Sequence, residues 1–235
     1  MLSLSSQFVE ELDDCLDGTD HSPEFPIPPG LLESTLYYGG MGRPAKFSDD
    51  DMLDAAGGLV MSGGVRALTA AAVARALFAP SGSVYHRFAS RDHLAAALWL
   101  RTVERFDRDV VAGLYADGDP VAVGVSVACH VVDWCVAHPL DAHVLTGLSM
   151  DDLTEDKVPA DLVARGKAIR RQQRRAIEHL ANRLDLPVDQ VVFAVAGIPY
   201  TAVRRAAGDG KAIPRWTAQA VARASRAVLT NEPTT

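Results

Sequence analysis

Between Thr69 and Phe88 the chain reads TAAAVARALFAPSGSVYHRF, and the side chains there that can meet another molecule are those of Ser81, Ser83, Tyr85, His86 and Arg87, with Gly82 among them. Two hydroxyls flanking a glycine suit close approach to base edges, while a phenol, an imidazole and a guanidinium donate hydrogen bonds to phosphate oxygens. Val84 and Phe88 lie four apart, so on a helix they seat one face inward and leave those residues pointing out. This is the chemistry of a short helix whose N-terminal end enters a major groove.

Holding such a helix requires a partner. Thr69 can accept an orphan backbone N–H as an N-cap, and Val73 and Leu77 then repeat at helical spacing, which predicts a first short helix. Pro80 cannot continue that helix but can open the next, which is expected to end near Arg87. The two helices meet at a tight bend. Upstream, Ser48 and Asp51 have capping-box spacing, and Met52, Leu53, Ala56, Leu59 and Val60 form an apolar stripe that Ser62, Gly63 and Gly64 terminate. Gly57 and Gly58 are expected to weaken this upstream helix by roughly 1 kcal/mol each relative to alanine. Downstream, Ser90 caps a long helix in which Leu94, Leu98, Phe106, Val110 and Leu114 recur.

The segment from Gly42 to Leu94 resembles the DNA-binding domain of the tetracycline-repressor (TetR) family. The resemblance rests on GRPAKFS at Gly42 to Ser48, Thr69, PSGSVYHRF at Pro80 to Phe88, and SRDHL at Ser90 to Leu94. The chain departs from the pattern at Phe78, where the family usually has glycine at the turn, and a left-handed φ is costly for phenylalanine. The resemblance implies that Ser81, Gly82 and Ser83 approach bases, that Tyr85, His86, Arg87 and Arg91 serve the phosphates with Thr69, and that Arg43 and Lys46 lie on an N-terminal arm near DNA. It also implies a homodimer built on the last two helices, a double-stranded operator of roughly palindromic sequence, and a small-molecule effector bound in the C-terminal body.

Composition bounds the alternatives. A chain of 235 residues, 48% hydrophobic and only 6% aromatic, can hold a small head and a larger aliphatic core. No stretch has eighteen uninterrupted apolar residues, and MLSLSSQFVEELDDC carries acids where a signal peptide needs a basic end, so the expectation is a cytoplasmic protein without a membrane segment. Cys15, Cys129 and Cys135 show no CxxC spacing, so neither a disulfide framework nor a metal site is read from them. The net charge of −7 is local: residues 1–40 hold eight acids and no Lys or Arg, which leaves 22 acids against 23 basic residues in the rest. Net charge therefore decides nothing about DNA, because phosphate contact depends on where the basic groups sit.

Residues 1–40, acidic and then Pro-rich, are expected to be a disordered extension, with a helix-turn-helix domain over 41–93 and a regulatory and dimerisation domain over 94–235. Met41 ahead of GRPAKFS has the look of an alternative start. Beyond Asp117 the periodicity predicts helices near 121–138, 140–149, 160–184, 188–207 and 214–230, with Pro199 kinking or splitting the fourth. The fold class expected is all-α: a three-helix head followed by a larger helical ligand-binding and dimerisation body.

In that body, Trp99, His130, Trp134 and His143, with His138 and Tyr200, are candidates to line a ligand pocket, although each also suits a packed core or its rim. The basic run Arg165, Lys167, Arg170, Arg171, Arg174 and Arg175 reads as a solvated face behind the stripe Leu162, Ile169, Ala176, Ile177 and Leu180. No triad, HExxH or phosphate-loop motif and no cofactor motif is recognisable. The reading is a ligand-responsive transcriptional regulator that acts as a repressor. A ligand-independent DNA-binding protein and an enzyme with an unrecognised site remain the alternatives.

Overall fold

The computed structural model describes residues 47–148, 158–208 and 212–230, and among them there are helices and turns but no strand. The acidic extension over 1–40, the alternative start at Met41, the arm residues Arg43 and Lys46, Cys15 and the break at 149–157 lie outside the described residues. Helix α1 spans Asp49–Gly63. Ser48 caps it by accepting the Asp51 N–H while the Asp51 carboxylate accepts the Ser48 N–H, and Asp49, Asp50 and Asp51 place negative charge on the positive end of the helix dipole. These hydrogen bonds from Ser48 hold the Asp51 carboxyl below its usual pKa. Gly64, at φ 67°, stops the helix, and a 3₁₀ turn over Val65–Ala67 follows.

Helix α2 (Ala70–Ala76) is capped by Thr69, α3 spans Ser81–Arg87 after Pro80, and α4 (Arg91–Leu114) is capped by Ser90. Then come α5 (Pro120–Ala137), capped by Asp119, and α6 (Pro139–Gly147). The long α7 (Ala160–Leu184) is followed by α8 (Val188–Val192), α9 (Ile198–Gly208) and α10 (Thr217–Leu229). Prolines 120 and 139 open α5 and α6 in the first turn, where the missing N–H goes unmissed. Helix α5 is long and apolar enough by length and composition to cross a membrane, yet half of it is buried within the protein, where it packs on α4 and α10.

The expected break at Pro199 is real, and its form is a π-helical turn over Phe193–Gly197 that joins α8 to α9. Pro199 has no N–H to offer, and the Ile198 N–H bonds Phe193 O, one residue further back than in an α-helix. That leaves the Ala194 carbonyl without a backbone partner from either position. Ser225 of α10, fully buried, donates its hydroxyl to Ala194 O at 2.7 Å. A tertiary contact thus repairs what the proline removes.

One apolar core unites Met52, Leu53 and Val60 of α1, Val73, Val84, Phe88, and Leu94 and Leu98 of α4, and it continues into Val144, Leu148, Leu162 and Val163. The glycine expected to be a plain weakness proves to be a seat: any Cβ on Gly57 would overlap Leu140 Cδ2, whereas Gly58 has open space around it. With the Leu140 side chain where it stands, helix α6 packs on α1 over the space that position 57 leaves open. Arg101 adds a polar tie, donating to Asp50 O at 3.1 Å and pairing with Asp50 and Asp54 at 3.0 and 2.8 Å.

Candidate nucleic-acid interface

Helices α2 and α3 are joined by a bend in which Phe78 N–H bonds Arg75 O and Ala79 N–H bonds Ala74 O. This pair of bonds is the Schellman arrangement, which requires a left-handed residue just past the helix end. Phe78 occupies that position at φ 50°. The bend therefore keeps the geometry that glycine normally provides, at a steric cost.

From this bend α3 projects with a divided surface. Val84 is 0% exposed and Phe88 5%, so they fix the helix to the head core as the four-residue spacing predicts. Ser81, Gly82, Ser83, Tyr85 and His86 are exposed, and they form the continuous outward face of a seven-residue helix. Thr69 is exposed at the start of α2, and its oxygen accepts the Ala72 N–H at 3.1 Å, which leaves its own O–H to give.

Of the three arginines in the predicted set, the two among the described residues are engaged within the protein. Arg87 donates to Phe47 O at 2.6 Å and pairs with Asp49 at 3.0 Å, tying α3 to the start of α1. Arg91 donates to Leu68 O and Val65 O at 3.1 and 2.9 Å, so it holds the carbonyl end of the 3₁₀ turn. His93 joins this framework, accepting the Ala89 N–H and meeting the Phe88 ring edge-on at 5.4 Å. These partners lie too far along the chain to be read from local sequence.

In the body, the four ligand candidates do not converge. Trp99, 8% exposed, belongs to the core shared with the head. Trp134 lies in a second core with Val132, Ala142, Val203 and Val221, with Phe106 at 5.2 Å and His138 stacked on it at 4.5 Å. His143 places Nδ1 2.7 Å from Pro139 O on the same helix. Only His130 lines the open groove of about 400 Å³ between the end of α4 and the start of α5, where Asp109, Asp117 and Asp119 also stand. Tyr200 faces outward on α9.

Thiol chemistry is unfavourable here. Burial pushes the Cys135 thiol up to about 12, with Asp141 adding to the shift, and Cys129 is raised chiefly by burial and further by Asp133. Neither forms a ready thiolate near neutral pH. Among the described residues, no three His, Cys, Asp or Glu side chains gather as a metal site. In the basic run, Arg165 pairs with Glu104 and Arg174 with Glu178, each at 2.7 Å, so part of that charge is neutralised within the protein.

Residues 52–98 match the sequence profile described as bacterial regulatory proteins, tetR family. No curated protein matches the chain in sequence. Among solved structures, a TetR-like transcriptional regulator from Rhodococcus sp. RHA1 has 20% identity and a TM-score of 0.56, covering 77% of this chain and 92% of its own. FadR from Bacillus subtilis, solved with stearoyl-CoA, has 11% identity and a TM-score of 0.60, covering 80% and 100%. The ketosteroid transcriptional regulator KstR2 of Mycobacterium tuberculosis has 19% identity and a TM-score of 0.53, covering 80% and 95%. The all-helical fold, with a helix-turn-helix head and a larger helical body, is that of these regulators.

Proposed function

From the premise that residues 52–98 form the tetR-family head of a DNA-binding regulator, we propose that this protein is a homodimeric repressor that leaves its operator when a small molecule binds the body. The observation that carries the reading is the outward face of α3, where Ser81, Gly82, Ser83, Tyr85 and His86 are all exposed beside a buried Val84. Ser81, Gly82 and Ser83 approach base edges, and Tyr85, His86 and Thr69 reach phosphates. Arg87 and Arg91 hold the helix in place and contribute to binding through that placement. Arg43 and Lys46 extend the contact along an arm. The DNA-binding unit is 41–93 and the regulatory unit 94–235, a division of roles across one continuous core.

The dimer forms through the last helices. Phe193 is 54% exposed and Tyr200 38%, one on the π turn and one on α9, while Ala224 and Ala227 stand exposed on α10. A two-fold pairing of this surface sets two copies of α3 about 34–36 Å apart, one turn of duplex. Sedimentation is expected to give twice the chain mass, and Phe193→Glu a single chain.

Release follows from population shift: the effector binds better to the form whose heads are spaced wrongly for DNA. Leu140 against Gly57 and Arg101 against Asp50 and Asp54 connect the body helices to α1, so a molecule that moves α4 or α6 moves the head. An effector with a large hydrocarbon part is the class suggested by the stearoyl-CoA of one relative and the ketosteroid name of another. The protein acts in the cytoplasm and by binding, without turnover. Selection from a random pool is expected to return a roughly palindromic duplex, and combined Ser83→Ala and Tyr85→Ala to weaken its binding by about tenfold or more with the melting temperature unchanged. Undiminished binding by that variant would overturn the assignment of α3.

A further inference from the structure

Two residues other than glycine take left-handed backbone among the described residues, Phe78 at φ 50° and Asp185 at φ 54°. Asp185 ends α7, and aspartate is one of the few side chains that tolerate this region. Phenylalanine is not. Phe78 is also 92% exposed, against 66% for Trp216 and 54% for Phe193, so its ring repays none of the strain by burial. A large apolar ring that is strained and bare at once is an outlier of the kind that clusters at functional sites.

Its place in the chain points to what covers it. Phe78 lies three residues ahead of Ser81, where α3 begins, and exposed Pro80 and Ser81 make its surroundings continuous with the outward face of that helix. We infer that Phe78 is an apolar anchor on the DNA duplex, laying its ring on deoxyribose carbons or a thymine methyl at the edge of the groove that α3 enters. The inference rests on the DNA-binding reading of α3 and adds to it a contact that the usual glycine cannot make. Aromatic contact with a thymine methyl or with sugar carbons is apolar and needs no donor. It suits a helix whose two nearest arginines are engaged inside the protein.

Three measurements on the full chain test it, with the duplex that the unaltered protein selects from a random pool as the probe. Phe78→Gly relieves the backbone and removes the ring. It is expected to raise the melting temperature by about 2–4 °C while weakening binding by about tenfold, equal to about 1.4 kcal/mol. Phe78→Ala keeps a Cβ in the left-handed region, so it is expected to lose the same affinity without the thermal gain. A variant that is more stable yet binds more weakly cannot be explained by a structural role for the ring. Replacing thymine by deoxyuridine in the selected duplex then separates the two contacts: if binding by the unaltered protein falls to the level of Phe78→Gly the ring sits on a methyl, and if binding is unchanged it sits on sugars.

Equal affinity of Phe78→Gly and the unaltered protein for the selected duplex would overturn the inference while leaving the regulator reading intact. A changed assembly mass with unchanged DNA affinity would assign the ring to a protein contact and overturn it too. Failure of the unaltered protein to select any duplex would be the distinct result that removes the regulator reading itself.

Discussion

The bend at Phe78 and the π turn at Phe193–Gly197 are both departures from regular backbone, and they are treated differently by their surroundings. At the π turn, Pro199 strands the Ala194 carbonyl and a buried serine from another helix supplies the missing hydrogen bond. At the bend, the left-handed phenylalanine has the Schellman bonds any residue would make there and no burial of its ring. A defect repaired from within belongs to the stability of the fold. One left open points to a gain realised elsewhere, in binding. Helix α1 holds a contrast of packing alone, with Leu140 seated over Gly57 and open space at Gly58.

The strongest challenge to this contrast is Gly57→Val. Its added atoms collide with Leu140, and overpacking of this kind is expected to cost about 2–3 kcal/mol in thermal or denaturant unfolding, with partial rescue by Leu140→Ala. A neutral Gly57→Val would mean that the seat is not needed. Ser225→Ala comes next, with an expected loss of about 2 kcal/mol because it leaves a buried carbonyl unpaired. The loss should shrink when Pro199→Ala is also present, since the helix can then satisfy Ala194 O itself.

Asp107 tests a defect repaired only in part. Its carboxylate, 9% exposed, accepts both hydrogen bonds it has from Gln173 Nε2 at 2.8 Å, and burial pushes its pKa up to about 6 against this lowering influence. The folded form binds the proton more tightly than the unfolded chain, whose carboxyl titrates near 3.8, so stability falls as pH rises from about 4 to about 6 and is then level. Asp107→Asn is expected to remove that fall and to stabilise the protein at pH 7 by on the order of 2 kcal/mol, read from melts across the pH range. The smallest effect is Gly58→Ala, expected to add about 1 kcal/mol because no neighbour uses the glycine. Loss of stability there would break the contrast with Gly57.

Much of the architecture was legible because its signals are local. Ser48, Thr69, Ser90 and Pro199 each act within a turn of where they stand, and every helix start or break they predicted is present. What escaped sequence reading depends on neighbours distant in the chain. Gly57 reads as a weak helix residue until Leu140 is placed beside it, and the ties of Arg87 to Asp49 and Phe47 O reach to the start of another helix. The body candidates Trp99, Trp134 and His143 were chosen by type, and type alone does not say which core or helix face they join. Phe78 was visible as a departure from the usual glycine, but its full exposure was not.

The π turn also sets the rotational phase of everything after it. An α-helix turns about 100° per residue, so a turn closed one residue late holds one residue more than a straight helix needs. A chain one residue shorter between Phe193 and Gly197 could close as ordinary helix and leave the residues beyond it on their present faces, whereas the full-length stretch drawn into ordinary helix would turn Tyr200 by roughly that angle relative to Phe193. A single-residue deletion in this stretch therefore spares the surface pattern, while regularising the turn at full length does not.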